Sequence, residues 1–404
     1  MSASSPEVIA SPSVHADTVP TLSKALVIFL AFCCGAVVAN LYYAQPIVEL
    51  IAPSIGLSPE HASLIVSLTQ FGYAAGLLFL VPLADLMENK RLVIGFTLVV
   101  GAFLAAAGFA DSPSLFLIAS LMIGLTSVAV QILVPLAAHM APESSRGRVV
   151  GNIMSGLLLG ILLARPVSSL VSEYVGWRGV FFSAAVLMVV IAALVAALLP
   201  KRMPNHHTTY ARLIGSVFGL AKQYAVLRER SLYQGLLFAS FSFFWTVVPI
   251  ELIRHYGFTQ NGVALFALVG AVGAIAAPIA GRLADAGHGH VSTLVALVMA
   301  PAALLVAGIP GLGYLGLVAA AIALDFAVQM NMVLGQREVY ALDPNSRARL
   351  NAVFMTSIFV GGALGSMVAS PLYESFGWAT TAYAAAAIPG LALVIFLAKH
   401  VGKR

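Results

Sequence analysis

Asp325 is the one acid that falls deep inside an apolar run of this sequence, and Arg165 is the one cation at comparable depth. Gln329 and Gln336 follow Asp325 at i+4 and i+11, which sets all three on one face of a helix, and Ser127 and Gln131 repeat the i, i+4 spacing in another run. Asn40, Tyr42, Tyr43 and Gln45 crowd a third run, Ser240, Ser242, Trp245 and Thr246 a fourth, and Asn331 lies just beyond Asp325. A carboxylate surrounded by hydrocarbon costs several kcal/mol unless neutralised. Asp325 must therefore hold a proton or face a cation. Counting about 1.5 Å per residue, it lies roughly 16–18 Å from the polar edge at Gln336 and Arg337, and Arg165 about 25 Å from the edge at Arg148. The pair could communicate across a cavity, protonation of Asp325 releasing or admitting a solute, or form a fixed structural ion pair. Glu49, at an outer helix end, is a weaker proton carrier. For a single Ser or Thr, bonding to a neighbouring helix is sufficient explanation.

The medium follows from composition: 60% of the 404 residues are hydrophobic and 9% charged, which places the chain in lipid. Backbone polar groups have no water partner there, so each apolar run of about 20 residues must be helical. Spans are expected near 25–52, 62–84, 91–110, 114–140, 148–172, 178–199, 231–253, 260–283, 291–309, 312–338, 349–373 and 378–399. These are twelve helices, numbered 1–12 in chain order, and the fold class is an all-α membrane protein of two six-helix bundles. Residues 1–22 read as a disordered tail without a cleavable signal, 23–199 as the first bundle, 200–230 as a polar linker, 231–400 as the second bundle and 401–404 as a short tail. Cys33 and Cys34 sit inside the first span and read as small packing residues.

The bundles are copies of one design. Arg146, Arg148, Gly160, Glu173 and Trp177 recur 201 positions on as Arg347, Arg349, Gly361, Glu374 and Trp378, and the Leu-Ala-Asp ending at Asp85 recurs ending at Asp285. Six spans per copy make the repeats parallel, related by an axis along the membrane normal. Of 21 Lys and Arg, all but Arg165, Arg178 and Arg254 fall on one side when both termini are cytoplasmic, and that fixes the expected orientation. Within the linker Leu213, Ile214, Val217, Phe218, Ala221, Tyr224 and Leu227 recur at helical spacing, an amphipathic helix along the interface.

Polarity is unevenly shared. Helices 1, 4, 7 and 10 carry the polar groups and are expected to line an aqueous cavity, whereas 3, 6, 9 and 12 are nearly bare and are expected to face lipid. Helices 2, 5, 8 and 11 carry glycines, among them Gly72, Gly76, Gly156, Gly160, Gly270, Gly273, Gly361 and Gly365, expected to form a sliding contact between bundles. His206, His207, His288 and His290 read as solvated loop residues, so no metal site is expected. No GxxxxGK[ST] or HExxH stretch is present, which leaves neither ATP as a direct energy source nor an enzyme reading. No cofactor or nucleic acid is expected, and nothing requires more than a monomer.

VPLADLMENKR from Val81 and GRLADAG from Gly281 resemble the loop signature of the major facilitator superfamily, GxLADRxGRK, and GLLLGILLARP occupies the place of its antiporter motif in helix 5. NLYYAQP is similar to members of the drug:proton antiporter and sugar or nucleoside efflux branch. Departures accompany the match: Val81, Leu86 and Glu88 replace signature residues, Ser120 stands where exporters carry an arginine, and Ala164, Arg165 and Pro166 replace the expected Gly-Pro. The resemblance implies a secondary transporter that rocks two bundles about a midplane site. It also implies a cytoplasmic gate of Asp85, Lys90, Arg91, Arg146, Arg148, Gly281, Asp285, Arg347 and Arg349. In that gate Asp85 meets Arg347 and Arg349 at the start of helix 11, and its twin Asp285 meets Arg146 and Arg148. Proton-coupled efflux of a drug-, sugar- or nucleoside-like solute through a bacterial inner membrane is the leading expectation. Uptake by symport and a non-transporting solute sensor are the alternatives.

Overall fold

The computed structural model describes residues 23–143, 145–204 and 209–401. Ser144, His206 and His207 lie outside the described residues, as do residues 1–22 and 402–404 of the two tails. The described residues form helices and turns without a sheet, as the composition demands. Nine of their runs are long and apolar enough to cross a membrane. Two of these, Arg146–Leu198 and Arg347–Lys399, are 53 residues each and fold back on themselves. The reversal points are Gly176 (φ 78°) and Gly377 (φ 70°), 201 positions apart. Positive φ with an extended ψ (164° and −179°) costs an L side chain about 1–3 kcal/mol, which explains the glycine at each. With a first helix broken partway, the count becomes the expected twelve.

Several helices are interrupted at mid-depth. Helix 1 is helical over Lys24–Ala39, opened by Ser23 whose hydroxyl accepts from Leu26 N, then unwinds at 40–44. A 3-10 turn Gln45–Ile47 and a short helix Val48–Ser54 complete it. Pro46 supplies no N–H to an α-helical ladder, which accounts for the break. Helix 4 divides into Pro113–Thr126 and Ala129–Met140, and helix 8 into Gln260–Val269 and Ala276–Asp285 around a 3-10 stretch Gly270–Ile275. Helix 2 is Leu64–Phe79 with a 3-10 extension Val81–Asp85; helix 3 is Asn89–Phe109, helix 7 Ala225–Arg254, helix 9 Gly289–Ala307 and helix 10 Gly313–Ala341. Helix 7 begins inside the stretch expected to be linker. The amphipathic helix is Tyr210–Gln223; it buries Val217 and Leu220 but leaves Phe218 exposed. Tyr210 Oη ties it to Phe79 O at 2.7 Å.

The glycines act differently from expectation. A side chain on Gly72 or Gly76 would strike Leu121 or Leu125 of helix 4, on Gly156 or Gly160 Ala31 or Gly35 of helix 1, and on Gly361 or Gly365 Gly235 or Ala239 of helix 7. All are contacts inside one bundle. Only Gly362 faces across, toward Gln70 of helix 2. The glycines weld each bundle into a rigid body by close backbone approach. Helices 2 and 11, and 5 and 8, nevertheless meet across the bundles. Helices 3, 6, 9 and 12 present Leu98, Val186, Val189, Val295, Leu305, Leu391 and Val394 outward, an apolar belt suited to lipid.

Candidate functional site

Residues from helices 1, 5, 7 and 10 converge where helix 1 is unwound. Arg165, buried on helix 5, donates through Nε to Gln45 Oε1 at 2.8 Å. Its guanidinium carbon lies 4.6 Å from the ring centre of Trp245, 5.1 Å from Tyr42 and 5.2 Å from Phe241, so aromatic faces surround the charge. Trp245 in turn donates its indole N–H to Asp325 Oδ1 at 2.8 Å. Arg165 and Asp325 form no ion pair; they are joined through the indole, whose face holds the cation and whose edge holds the carboxylate. Asp325 fits there because Gly270 and Gly273 of helix 8 carry no side chain: a Cβ on Gly270 would stand 2.5 Å from its Oδ2.

The other expected pathway residues divide between this site and the helix packing around it. Tyr43 takes a bond at its carbonyl from Ser168 at 2.6 Å, and Gln131 donates to Tyr73 Oη at 3.1 Å. Gln329, half-buried, stays on the Asp325 side of helix 10 without a hydrogen-bond partner among the described residues. Asn40 instead turns to Met188 of helix 6, Ser127 bonds back to Ile123 O, and Asn331 donates to Gln234 Oε1 at 2.6 Å. Each of those three bonds is internal to a bundle. Sequence reasoning missed Phe241, which looks like any apolar residue of helix 7. It also missed the thread of Gln70 to Ser242 (2.6 Å) and Ser242 to Ser366 (2.6 Å) that crosses between bundles.

The sequence profile of the Major Facilitator Superfamily matches residues 27–336 and, in a second match, 230–403. The chain belongs to the Major Facilitator Superfamily. An uncharacterized transporter, YgaY, of Escherichia coli O157:H7 is 40% identical over 376 residues, covering 93% of this chain and 95% of its own. A probable transporter, SCO4007, of Streptomyces coelicolor is 32% identical over 86% of this chain and 81% of its own. A bacterial homologue of the human lysosomal transporter Spinster, solved inward-facing and unoccupied, shares the fold at a TM-score of 0.71 and 14% identity, over 93% of this chain and 97% of that one. The chain is thus a superfamily transporter and not an enzyme.

In this superfamily fold the bundles are joined from mid-depth to the face opposite the linker. There Arg254 of helix 7 grips Glu49 of helix 1 with two bonds, 2.6 and 3.0 Å, and reaches Glu374 of helix 11 at 2.7 Å. Ser67 Oγ donates to Ala363 O at 2.8 Å just below. At the linker face the expected gate residues stand apart. Asp85 is exposed and has no hydrogen bond or ion pair among the described residues. Arg347 bonds Tyr340 O, Arg349 bonds Ser346 Oγ and Arg146 bonds Ala138 O, all within their own bundles. Asp285 pairs with Arg337 rather than with Arg146 or Arg148. Arg91 pairs with Glu88 at 2.9 Å, Lys90 has no ion-pair partner among the described residues, and open space surrounds Gly281. Neither expected latch is made in this conformer.

Proposed function

We propose that the chain is a proton-driven secondary transporter that alternates access to the Arg165–Trp245–Asp325 site and exports a small organic solute from a bacterial cytoplasm. The observation that carries this reading is one face tied between the bundles by Arg254 and Glu49, with Glu374 beside them, while the gate residues at the opposite face make no bond from one bundle to the other among the described residues. The lysine and arginine bias supports a cytoplasmic linker face and cytoplasmic termini, and on that reading this conformer opens inward. Asp325 is the proton carrier: it sits at mid-depth, makes no ion pair, and changes its charge beside Arg165 when it takes a proton. When the far face opens instead, Asp85 engages Arg347 and Arg349, and Asp285 exchanges Arg337 for Arg146 and Arg148. The outward direction is supported by the resemblance of NLYYAQP to efflux members. Uptake with a proton is the second reading. It is favoured by Ser120, which bonds Phe116 O where an exporter's arginine would stand. The test begins with a thermal-shift screen of purified protein and continues with vesicle flux under an imposed pH gradient. Counterflow and gradient-driven flux are expected, with the sign of the gradient giving the direction. Saturable binding without counterflow would make the protein a sensor and overturn the proposal.

A further inference from the structure

Arg165 and Gln45 together leave two buried donor nitrogens without a hydrogen-bond partner among the described residues. The guanidinium uses Nε on Gln45 Oε1 at 2.8 Å, and because a guanidinium cannot accept, that bond also fixes which end of the Gln45 amide is NH₂. Gln45 Nε2 and Arg165 Nη2 are then both buried without a hydrogen-bond partner among the described residues. Elsewhere among the described residues the unpartnered buried atoms are hydroxyls, which can donate or accept, and amide oxygens such as Asn40 Oδ1, Gln70 Oε1 and Asn331 Oδ1; unpartnered N–H donors occur only here. Around the guanidinium stand the rings of Tyr42, Phe241 and Trp245, none of which makes a hydrogen bond to Arg165 or Gln45. Asp325 does not fill the role, since it binds the far edge of Trp245 and makes no ion pair with Arg165.

We infer that the solute carried at this site bears a carboxylate or similar organic anion, seated on Arg165 Nη2 and Gln45 Nε2 with its carbon body against the three aromatic rings. The inference rests on the transport reading of the same site and names its substrate class. A neutral polyhydroxy solute would bring acceptors but no charge to set against the guanidinium, which has aromatic rings around it and makes no ion pair with Asp325. An anionic group brings two acceptors on one carbon or phosphorus and the missing charge together, in the forked geometry a guanidinium matches best.

Trp245 makes the site its own reporter. The chain has three tryptophans, so the Trp177→Phe/Trp378→Phe protein in lipid nanodiscs emits from Trp245 alone. The probes are benzoate and phenylphosphonate, with benzamide as the neutral counterpart of benzoate. The expected result is a saturable change in Trp245 emission with at least one of the two anions, at least about tenfold tighter than any response to benzamide. Arg165→Gln removes it and Gln45→Leu weakens it about tenfold. Silence with both anions, equal affinity for benzamide, or an anion response that survives Arg165→Gln in a protein of unchanged thermal unfolding would overturn the assignment. If Arg165→Gln does not fold, an undiminished response in Gln45→Leu overturns it instead. Counterflow of a neutral solute with no anion response would sink this inference and leave transport standing; anion binding without counterflow would do the reverse.

Discussion

The two bundles make the same contact between their second and fourth helices with opposite residues. In the first bundle Thr69 of helix 2 lies against Gly124 of helix 4; 201 positions on, Gly270 of helix 8 lies against Asp325 of helix 10. The bulk has changed sides, and in the second bundle it is a carboxylate. The other ionisable member breaks the symmetry the opposite way: Arg165 in helix 5 has Ser366 as its twin in helix 11, and Ser366 bonds Ser242 and Thr246. Helices 1 and 7 repeat at a shift of 200, as the twin contacts of Gly35 with Gly160 and of Gly235 with Gly361 show. At that shift Gln45, which receives Arg165, corresponds to Trp245, which serves Asp325. Duplication supplies a rigid frame twice, and a few unmatched substitutions at its centre put a cation in one half and an acid in the other.

If the acid is what the second half adds, Asp325→Asn has the largest effect. Accumulation driven by a pH gradient is lost while counterflow persists, measured in the same vesicles; gradient-driven accumulation at the wild-type level would remove Asp325 as the carrier. Next come the glycines that hold matching contacts. Gly72→Ala must push Leu121 backbone aside and Gly273→Ala must push Asp325 aside, so each should cost about 1–3 kcal/mol in thermal unfolding. Only the second should also impair proton coupling. Impaired coupling in both would mean that the halves share the chemistry more evenly than their residues suggest. Gly176→Ala and Gly377→Ala should each cost about 1–3 kcal/mol, and equally, because both positions need the same positive φ with an extended ψ. A clear inequality would show that one reversal is braced by its Trp and the other is not. Asp85→Asn should be the mildest for stability, within about 0.5 kcal/mol, since Asp85 has no partner in this conformer. It should slow transport all the same, by weakening the opposite state.

Much of this frame was legible as sequence. The 201-residue repeat and the span count follow from spacing and apolarity, because a membrane leaves helices as the one way to pair the backbone. The breaks were harder. Pro46 hinted at the unwinding of helix 1, but nothing in apolar periodicity separates the Gly270–Ile275 turn from helix. The glycine contacts were misassigned because small residues allow close approach without saying to which neighbour. Asn40 and Asn331 resemble cavity residues by type and depth, yet a few tens of degrees of helix rotation turn both into their own bundles. The far-face clamp left one trace: Arg254 was among three cations outside the basic side, and its partners Glu49 and Glu374 are distant in sequence.

If two rigid bundles rock about the buried site, closure at one face and opening at the other are a single motion. Pairs of spin labels across each face, in wild type and in Arg254→Gln, test it most directly. Exposed ion pairs contribute about 0–1 kcal/mol each, so losing the clamp should shift the populations by roughly fivefold. Far-face distances should lengthen and linker-face distances shorten in the same fraction of molecules. Loosening of the far face while the linker face keeps its spacing would contradict the account.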